Sequence, residues 1–201
     1  MAKSDKPGIR IVAINGTVRP GNYTSKAMAL VVDEIAKHGD ITLTLIDPTE
    51  LDLKPGGVAS SSDATEQMKE AVSQATGVIL ATPEYHGSFS AVLKLVIENL
   101  GFPSVLAGKP ISLLGVASGQ IGAIKSLEHL RSVCSHIGAI VLPGPVSVAG
   151  VQQVFDEQGN CLDESVEKRI RGTATKLIDY IRGFICPSIS LEDMVRSKNM
   201  Q

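Results

Sequence analysis

Among the residues that could do chemistry, the stretch Ile9 to Ser25, IRIVAINGTVRPGNYTS, is the most telling. An apolar run, Ile9 to Ile14, passes without a spacer into a loop of Gly, Pro, Asn, Thr and one Arg, and then into a predicted helix. A strand, a glycine-bearing loop and a helix N-terminus in that order aim several backbone N–H groups at one point, with the positive end of the helix dipole behind them. Thr17, Asn22, Tyr23 and Thr24 add donors of their own, and Arg19 adds a charged fork that suits a phosphate dianion. The loop has neither the G-x-x-x-x-G-K-[ST] of triphosphate sites nor the G-x-G-x-x-G of dinucleotide sites. A terminal phosphomonoester, such as the one that ends FMN, fits it better than a triphosphate or a bridging pyrophosphate. The plainer alternative is a surface turn with an exposed Arg.

A second stretch, Thr82-Pro83-Glu84-Tyr85-His86-Gly87-Ser88, follows another apolar run. Pro83 stiffens the strand exit and Gly87 permits close backbone approach to a flat ligand. Exposed amides here suit the polar edge of a flavin ring and the negative charge that develops on it during reduction. Tyr85 reads either as a ring contact or as a surface Tyr in a turn, and His86 as a wall rather than an acid or base, because hydride transfer to a flavin needs no protein base. The third stretch, Ala117-Ser118-Gly119-Gln120-Ile121-Gly122, offers Ser118 and Gly119 as small contacts at a helix start. It is not G-x-S-x-G, which argues against a serine hydrolase. His129, Cys134 and His136 do not share one helix face at zinc geometry, so no metal site is expected and no catalytic side chain is assigned.

These loops need elements to hold them. Apolar runs at Ile9 to Ile14, Ile41 to Ile46, Gly77 to Thr82, Ile111 to Val116 and Ala139 to Gly144 alternate with helical patterns at Thr24 to Lys37, Asp63 to Ala75, Phe89 to Asn99, Ile121 to Ile137 and Asp163 to Phe184. Four of the five runs are nearly continuous, as strands buried on both faces require, whereas ITLTLI alternates and suits an edge. The strict βα rhythm implies an α/β sandwich with right-handed crossovers. Five strands fit the flavodoxin-like order 2-1-3-4-5, a three-layer sandwich whose switch point lies between the first and third strands. The loops after strands 1, 3 and 4 then lie side by side. The loop Asp47 to Ser62 is expected to be flexible and to form a rim, and Ala149 to Leu162 to form a polar excursion or small hairpin. Residues 1–186 read as one domain, and 187–201 as a tail that is disordered or packed on a partner subunit.

The 201 residues suffice for a single domain with a full core, and a formal net charge of -2 gives no footprint for nucleic acid or an anionic membrane. No apolar run reaches membrane-spanning length, and the N-terminus MAKSDKPG has no apolar stretch behind it, so a soluble, cytoplasmic protein is expected. The three widely spaced cysteines include no C-x-x-C and are expected to be reduced.

Taken together the loops resemble the NADPH-dependent FMN reductase family of flavodoxin-like proteins, over Ile9 to about Ile181. The family's G-S-x-R-x-x-S-x-N stands in register with Gly16-Thr17-Val18-Arg19-Pro20-Gly21-Asn22-Tyr23-Thr24, and its T-P-E-Y-x-x-S-x-x-x-x-L-K with Thr82 to Lys94. The resemblance implies that Thr17, Arg19, Asn22 and Thr24 hold the FMN phosphate and that the ring lies against Pro83, Glu84, Tyr85, His86 and Gly87, with Ser118 and Gly119 beside it. Many relatives carry Asn after that Lys and an aromatic at the helix end; this chain has Leu95 and then Glu98-Asn99-Leu100. The helix is apolar around much of its circumference, and the family pairs through this region, which implies a homodimer or homotetramer.

The implied activity is NAD(P)H-dependent oxidoreduction. NADPH or NADH gives hydride to FMN N5, and the electrons pass on to a flavin, quinone, azo dye or metal oxyanion. The alternatives are a flavodoxin-type electron carrier, against which the near-neutral charge and scarce aromatics stand, and a redox sensor without NAD(P)H turnover.

Overall fold

Ile9–Asn15 forms a strand (β1) buried at every position but Arg10, as a continuous apolar run in a central parallel strand requires. The computed structural model describes residues 8–56, 58 and 62–198, with side chains as far as residue 192. After β1 come α1 (Tyr23–Ala36), β2 (Ile41–Ile46), α2 (Asp63–Gln74), β3 (Gly77–Tyr85), β4 (Ser88–Phe89) and α3 (Ala91–Asn99). Then follow β5 (Pro110–Val116), α4 (Ile124–His136), β6 (Ile140–Val141), β7 (Val146–Val148), α5 (Val151–Val154), α6 (Glu164–Tyr180) and α7 (Cys186–Lys198).

The parallel sheet runs β2-β1-β3-β5-β6, with β7 pairing β5 further along. This is the flavodoxin-like order, and β1 and β3 meet at the switch point. Side chains of β1 alternate between two cores. Ile11 and Ala13 face the layer of α1, α5 and α6, whereas Val12 and Ile14 face that of α2, α3 and α4. β2 lies at the edge with alternating burial, as its sequence implies.

Several boundaries differ from the sequence expectation, each for a local reason. The fifth strand, expected over Ala139 to Gly144, is broken into β6 and β7. Pro143 and Pro145 have no N–H for the ladder, and Gly144 between them has a φ of +71°. β3 runs past Thr82 to Tyr85 and folds back, so Phe89 pairs with Glu84 instead of opening the next helix. α4 starts at Ile124 rather than Ile121 because the chain first turns through Gly122 at a φ of +77°. The expected last helix ends at Tyr180, and a wide π turn over Ile181–Ile185 leads into α7, so the tail is helical as far as Lys198. The expected excursion at Ala149 to Leu162 is a short helix followed by an antiparallel bridge, Phe155 to Cys161. In the loop after β2, Lys54 and Asn99 bond each other through Lys54 N to Asn99 Oδ1 (3.2 Å) and Asn99 Nδ2 to Lys54 O (2.8 Å). Residues 57 and 59–61 of the proposed rim lie outside the described residues, as does the N-terminal segment 1–7.

Among the described residues no helix is long and apolar enough to cross a membrane. The three cysteines are unpaired, and burial pushes the Cys134 thiol up to about 12.

α1 and α6 are clamped by Arg171, which bonds Glu167 through Nε (2.8 Å), the Leu30 carbonyl through Nη1 (3.3 Å) and the Asp33 carboxylate. The hydrogen bond from Arg171 is the main cause that holds the Asp33 carboxyl below its ordinary 3.8. A carboxyl depressed in the folded state contributes stability that is present above its unfolded value and is lost as pH falls through the folded one. Arg171→Met is therefore expected to lower stability at neutral pH, and its deficit is expected to shrink as pH drops below about 3.8. Denaturant unfolding at a series of pH values checks this; a deficit that stays constant into strong acid would show that the clamp acts by packing alone.

Candidate functional site

β1 ends at Asn15 and the chain leaves the sheet at Gly16, whose N–H donates to Ala81 O of β3 at 2.7 Å. Only a glycine fits there, because a Cβ would come within 2.4 Å of Ala81 O. The Gly16 carbonyl accepts from Ser90 Oγ, and Ser90 also caps α3 by accepting from Leu93 N at 3.0 Å. Thr82 Oγ1 accepts from Ser90 N (3.1 Å) and donates to Pro83 O (2.8 Å). The first loop, the exit of β3 and the start of α3 are thus one bonded unit.

Beyond Gly16 the loop is pinned by its own side chains. Asn22 caps α1: its Oδ1 accepts from Ser25 N (2.7 Å) while its Nδ2 donates to Arg19 O (2.6 Å). Arg19 N donates to Thr17 Oγ1 at 3.3 Å, and Asn15 Nδ2 donates to Ser25 Oγ at 2.7 Å. Thr17 and Thr24 are buried at the base of the loop. The first turn of α1 carries no acidic residue, so the helix supplies no negative charge of its own to the positive end of its dipole. Arg19 is exposed, and among the described residues nothing bonds its guanidinium. An acid-free helix N-terminus beside an uncommitted guanidinium is a donor set that suits a phosphate dianion.

The second stretch is a hairpin rather than an open loop. Tyr85 pairs with Ser88, and His86 and Gly87 form the two-residue turn at φ values of 51° and 74°. Positive φ at both positions matches the right-handed twist of the flanking strands. Two contacts strap the hairpin to α4: Glu84 Oε2 accepts from Ser126 N (3.1 Å), and Ser88 Oγ meets His129 Nδ1 at 3.1 Å. The Glu84 carboxylate therefore sits at the N-terminus of α4, where negative charge is favoured.

The third loop is held from below. Ala117 N donates to Val148 O (2.9 Å), and Gly119 O accepts from Gly122 N and Gly150 N (both 3.1 Å). Ser118 and Gly119 stay exposed at its crest.

All three loops line one shallow cleft of about 80 Å³ at the carboxyl edge of β1, β3 and β5. Arg19, Asn22, Tyr23 and Thr24 come to it from the first loop, Pro83, Glu84 and Tyr85 from the hairpin, and Ser118 from the third. Thr17 lies beneath the lining, His86 and Gly87 at the hairpin tip, and Gly119 just past Ser118. Tyr85 is 45 % exposed. Val151, at the start of α5, joins the lining without any signal in the sequence.

Larger cavities lie elsewhere, and two of them show why they are poorer candidates. One of about 450 Å³, under the opposite sheet edge, holds Arg10 and Lys109. Both cations already cap α2, through Arg10 Nε to Gln74 O (3.0 Å) and Lys109 Nζ to Ser73 O (2.7 Å) and Ala75 O (2.8 Å). The other, about 740 Å³, is a groove between α3 and α4 next to Phe102. Neither adjoins a helix N-terminus freed at the switch point.

The sequence profile of the family described as NADPH-dependent FMN reductase matches residues 9–153, which run from β1 into α5 and include all three loops. The chain belongs to this family. The reductase is accordingly a flavin-dependent oxidoreductase with FMN and NADPH or NADH as cofactors. It is 28 % identical over 177 residues to an NAD(P)H-dependent FMN reductase of Pseudomonas aeruginosa, covering 87 % of this chain and 96 % of that one. It is 30 % identical over 179 residues to an FMN-dependent NADPH-azoreductase of Staphylococcus aureus (86 % and 93 % covered). It is 25 % identical over 179 residues to a 2-hydroxy-1,4-benzoquinone reductase of a Burkholderia species (87 % and 97 % covered). Among solved structures, the flavoenzyme NAD(P)H:(acceptor) oxidoreductase FerB of Paracoccus denitrificans superposes with a TM-score of 0.72 at 21 % identity, over 87 % of the reductase and 98 % of FerB. That likeness shows the fold.

Proposed function

We propose that the protein binds FMN with the phosphate in the cradle at the start of α1 and the ring along the β3–β4 hairpin and the Ser118-Gly119 crest, and that it reduces small planar acceptors such as flavins, quinones or azo compounds at the expense of NADPH or NADH. One observation carries this reading. The Arg19 guanidinium, free of any bond to the described residues, stands beside an acid-free helix N-terminus in the cleft where all three loops meet.

The chemistry that bound FMN supplies is acceptance of hydride at N5 and onward transfer of electrons to the acceptor. The chain's own residues bind and orient. Arg19 and the amides of Asn22, Tyr23 and Thr24 hold the phosphate. Pro83 to Gly87 form a stiff wall whose tip is fixed by a positive-φ turn, and Glu84 holds that wall to α4. Ser118 and Gly119 leave room for close approach from the other side. The acceptors named for the quinone- and azo-reducing relatives fit a shallow, open cleft better than a bulky substrate would.

A second copy of the chain is the partner this reading calls for. Phe102 is fully exposed at the mouth of the groove between α3 and α4, and sedimentation of the purified protein tests the pairing. Three unpaired cysteines fit the reducing cytoplasm.

The deciding experiment is an anaerobic titration of the FMN-loaded protein with NADPH, followed by flavin absorbance. Rapid bleaching supports the reductase, and its reoxidation by added quinone or azo dye then sorts the acceptors. Flavin that binds yet stays oxidised would sink the proposed reaction.

A further inference from the structure

Asn15 closes β1 beneath the first turn of α1 and is only 6 % exposed. A run of hydrogen bonds starts from it: Asn15 Nδ2 to Ser25 Oγ (2.7 Å), Ser25 N to Asn22 Oδ1 (2.7 Å) and Asn22 Nδ2 to Arg19 O (2.6 Å). The place of the Arg19 backbone is therefore set from the end of the central strand, with no ligand needed to order it. Asn22 commits its Oδ1 and one of its two Nδ2 hydrogens to the run, so its side chain is held in place before any phosphate arrives.

The other amide atom of Asn15, Oδ1, is buried and without a partner. Turning the amide over exchanges the two atoms and keeps a bond to the Ser25 hydroxyl, yet still leaves one buried atom unmatched. An unmatched buried polar atom costs free energy. An asparagine here is thus a poor choice for folding alone, and its value lies in what it holds.

We propose that Asn15 is a positioning residue for phosphate recognition, acting through Ser25 and Asn22 to fix the backbone of Arg19 so that the guanidinium meets the FMN phosphate from a preset place. The proposal rests on the phosphate reading of the cradle given above. Fixing a binding group before its ligand arrives removes the ordering cost from the binding step. Asn15 itself touches no ligand.

FMN and riboflavin differ only in the phosphate, so the ratio of their affinities, from flavin fluorescence on the apo-protein, reads phosphate recognition alone. Asn15→Ala and Ser25→Ala are each expected to lower that ratio about fivefold, the worth of one neutral hydrogen bond. The melting temperature of Asn15→Ala is expected to stay level or rise. In an Arg19→Ala background, adding Asn15→Ala is expected to change the ratio by no more than about twofold, because the group it positions is gone. A ratio untouched by Asn15→Ala, or one that falls equally with and without the Arg19 guanidinium, overturns the relay and leaves the phosphate reading standing. So does a variant that melts early and loses both flavins alike. Wild-type protein that binds riboflavin as tightly as FMN overturns both.

Discussion

Arg19→Ala is expected to weaken FMN binding about 10- to 150-fold while leaving the melting temperature of the apo-protein where it was. The first half follows from the loss of a charge-assisted contact worth about 1.5–3 kcal/mol. The second follows from the structure, since the guanidinium bonds nothing among the described residues and its removal opens no gap in the core. Arg19→Lys should fall between the two, because an ammonium keeps the charge and loses the fork. Fluorescence titration with FMN, with riboflavin as control, measures the effect. Unchanged FMN affinity would take Arg19 out of the site and leave the cradle without its one charged donor.

Gly16→Ala is expected to damage both fold and site. The new Cβ would sit 2.4 Å from Ala81 O and 3.1 Å from Leu93 Cβ, and neither a strand carbonyl nor a β-carbon can swing aside as a side-chain tip would. Overpacking of this kind costs about 1–3 kcal/mol, and occasionally more. The strain falls on the junction where Gly16 is bonded to Ala81 O and Ser90 Oγ. If β1 and β3 part there, the cradle parts from the hairpin, so FMN affinity should fall at least as far as in Arg19→Ala. Thermal melting and flavin titration of the same preparation separate the two losses. A variant with wild-type melting would mean that the strands have more room at this point than Gly16 and Ala81 display.

The layer order and the three-loop cleft were legible because they rest on patterns with strong physical causes. Unbroken apolar runs had to be buried strands, the alternation of ITLTLI had to put it at an edge, and strict βα order leaves few sheets to choose from. What escaped was set by single residues acting on the backbone. Pro143 and Pro145 stood in plain view, yet the run AIVLPG reads as a strand until the missing N–H groups are counted. The dipeptide His86-Gly87 was a two-residue hairpin signal, obscured because His is an unusual occupant of its first position. Ser90, three residues before the Leu93 amide it caps, was equally available as a helix-start signal. Asn15 offered no signal at all, because a polar residue at the end of an apolar run looks like the first residue of the loop. Its role depends on Ser25 lying 2.7 Å away across a turn that the sequence does not draw.

The two margins of the sheet are unequal, and that bears on how the protein fails when it is concentrated or heated. On one side the broken strand presents only Ile140–Val141 and Val146–Val148, separated by prolines, which gives an incoming chain no continuous template. On the other side Ile41–Ile46 offers six residues in a row, with Leu45 51 % exposed and no proline or lysine to deter pairing. Unwanted strand addition, and any aggregate seeded by it, should therefore grow from the β2 side alone. Thr44→Lys, at an exposed position in the middle of this strand, would be an economical way to block it.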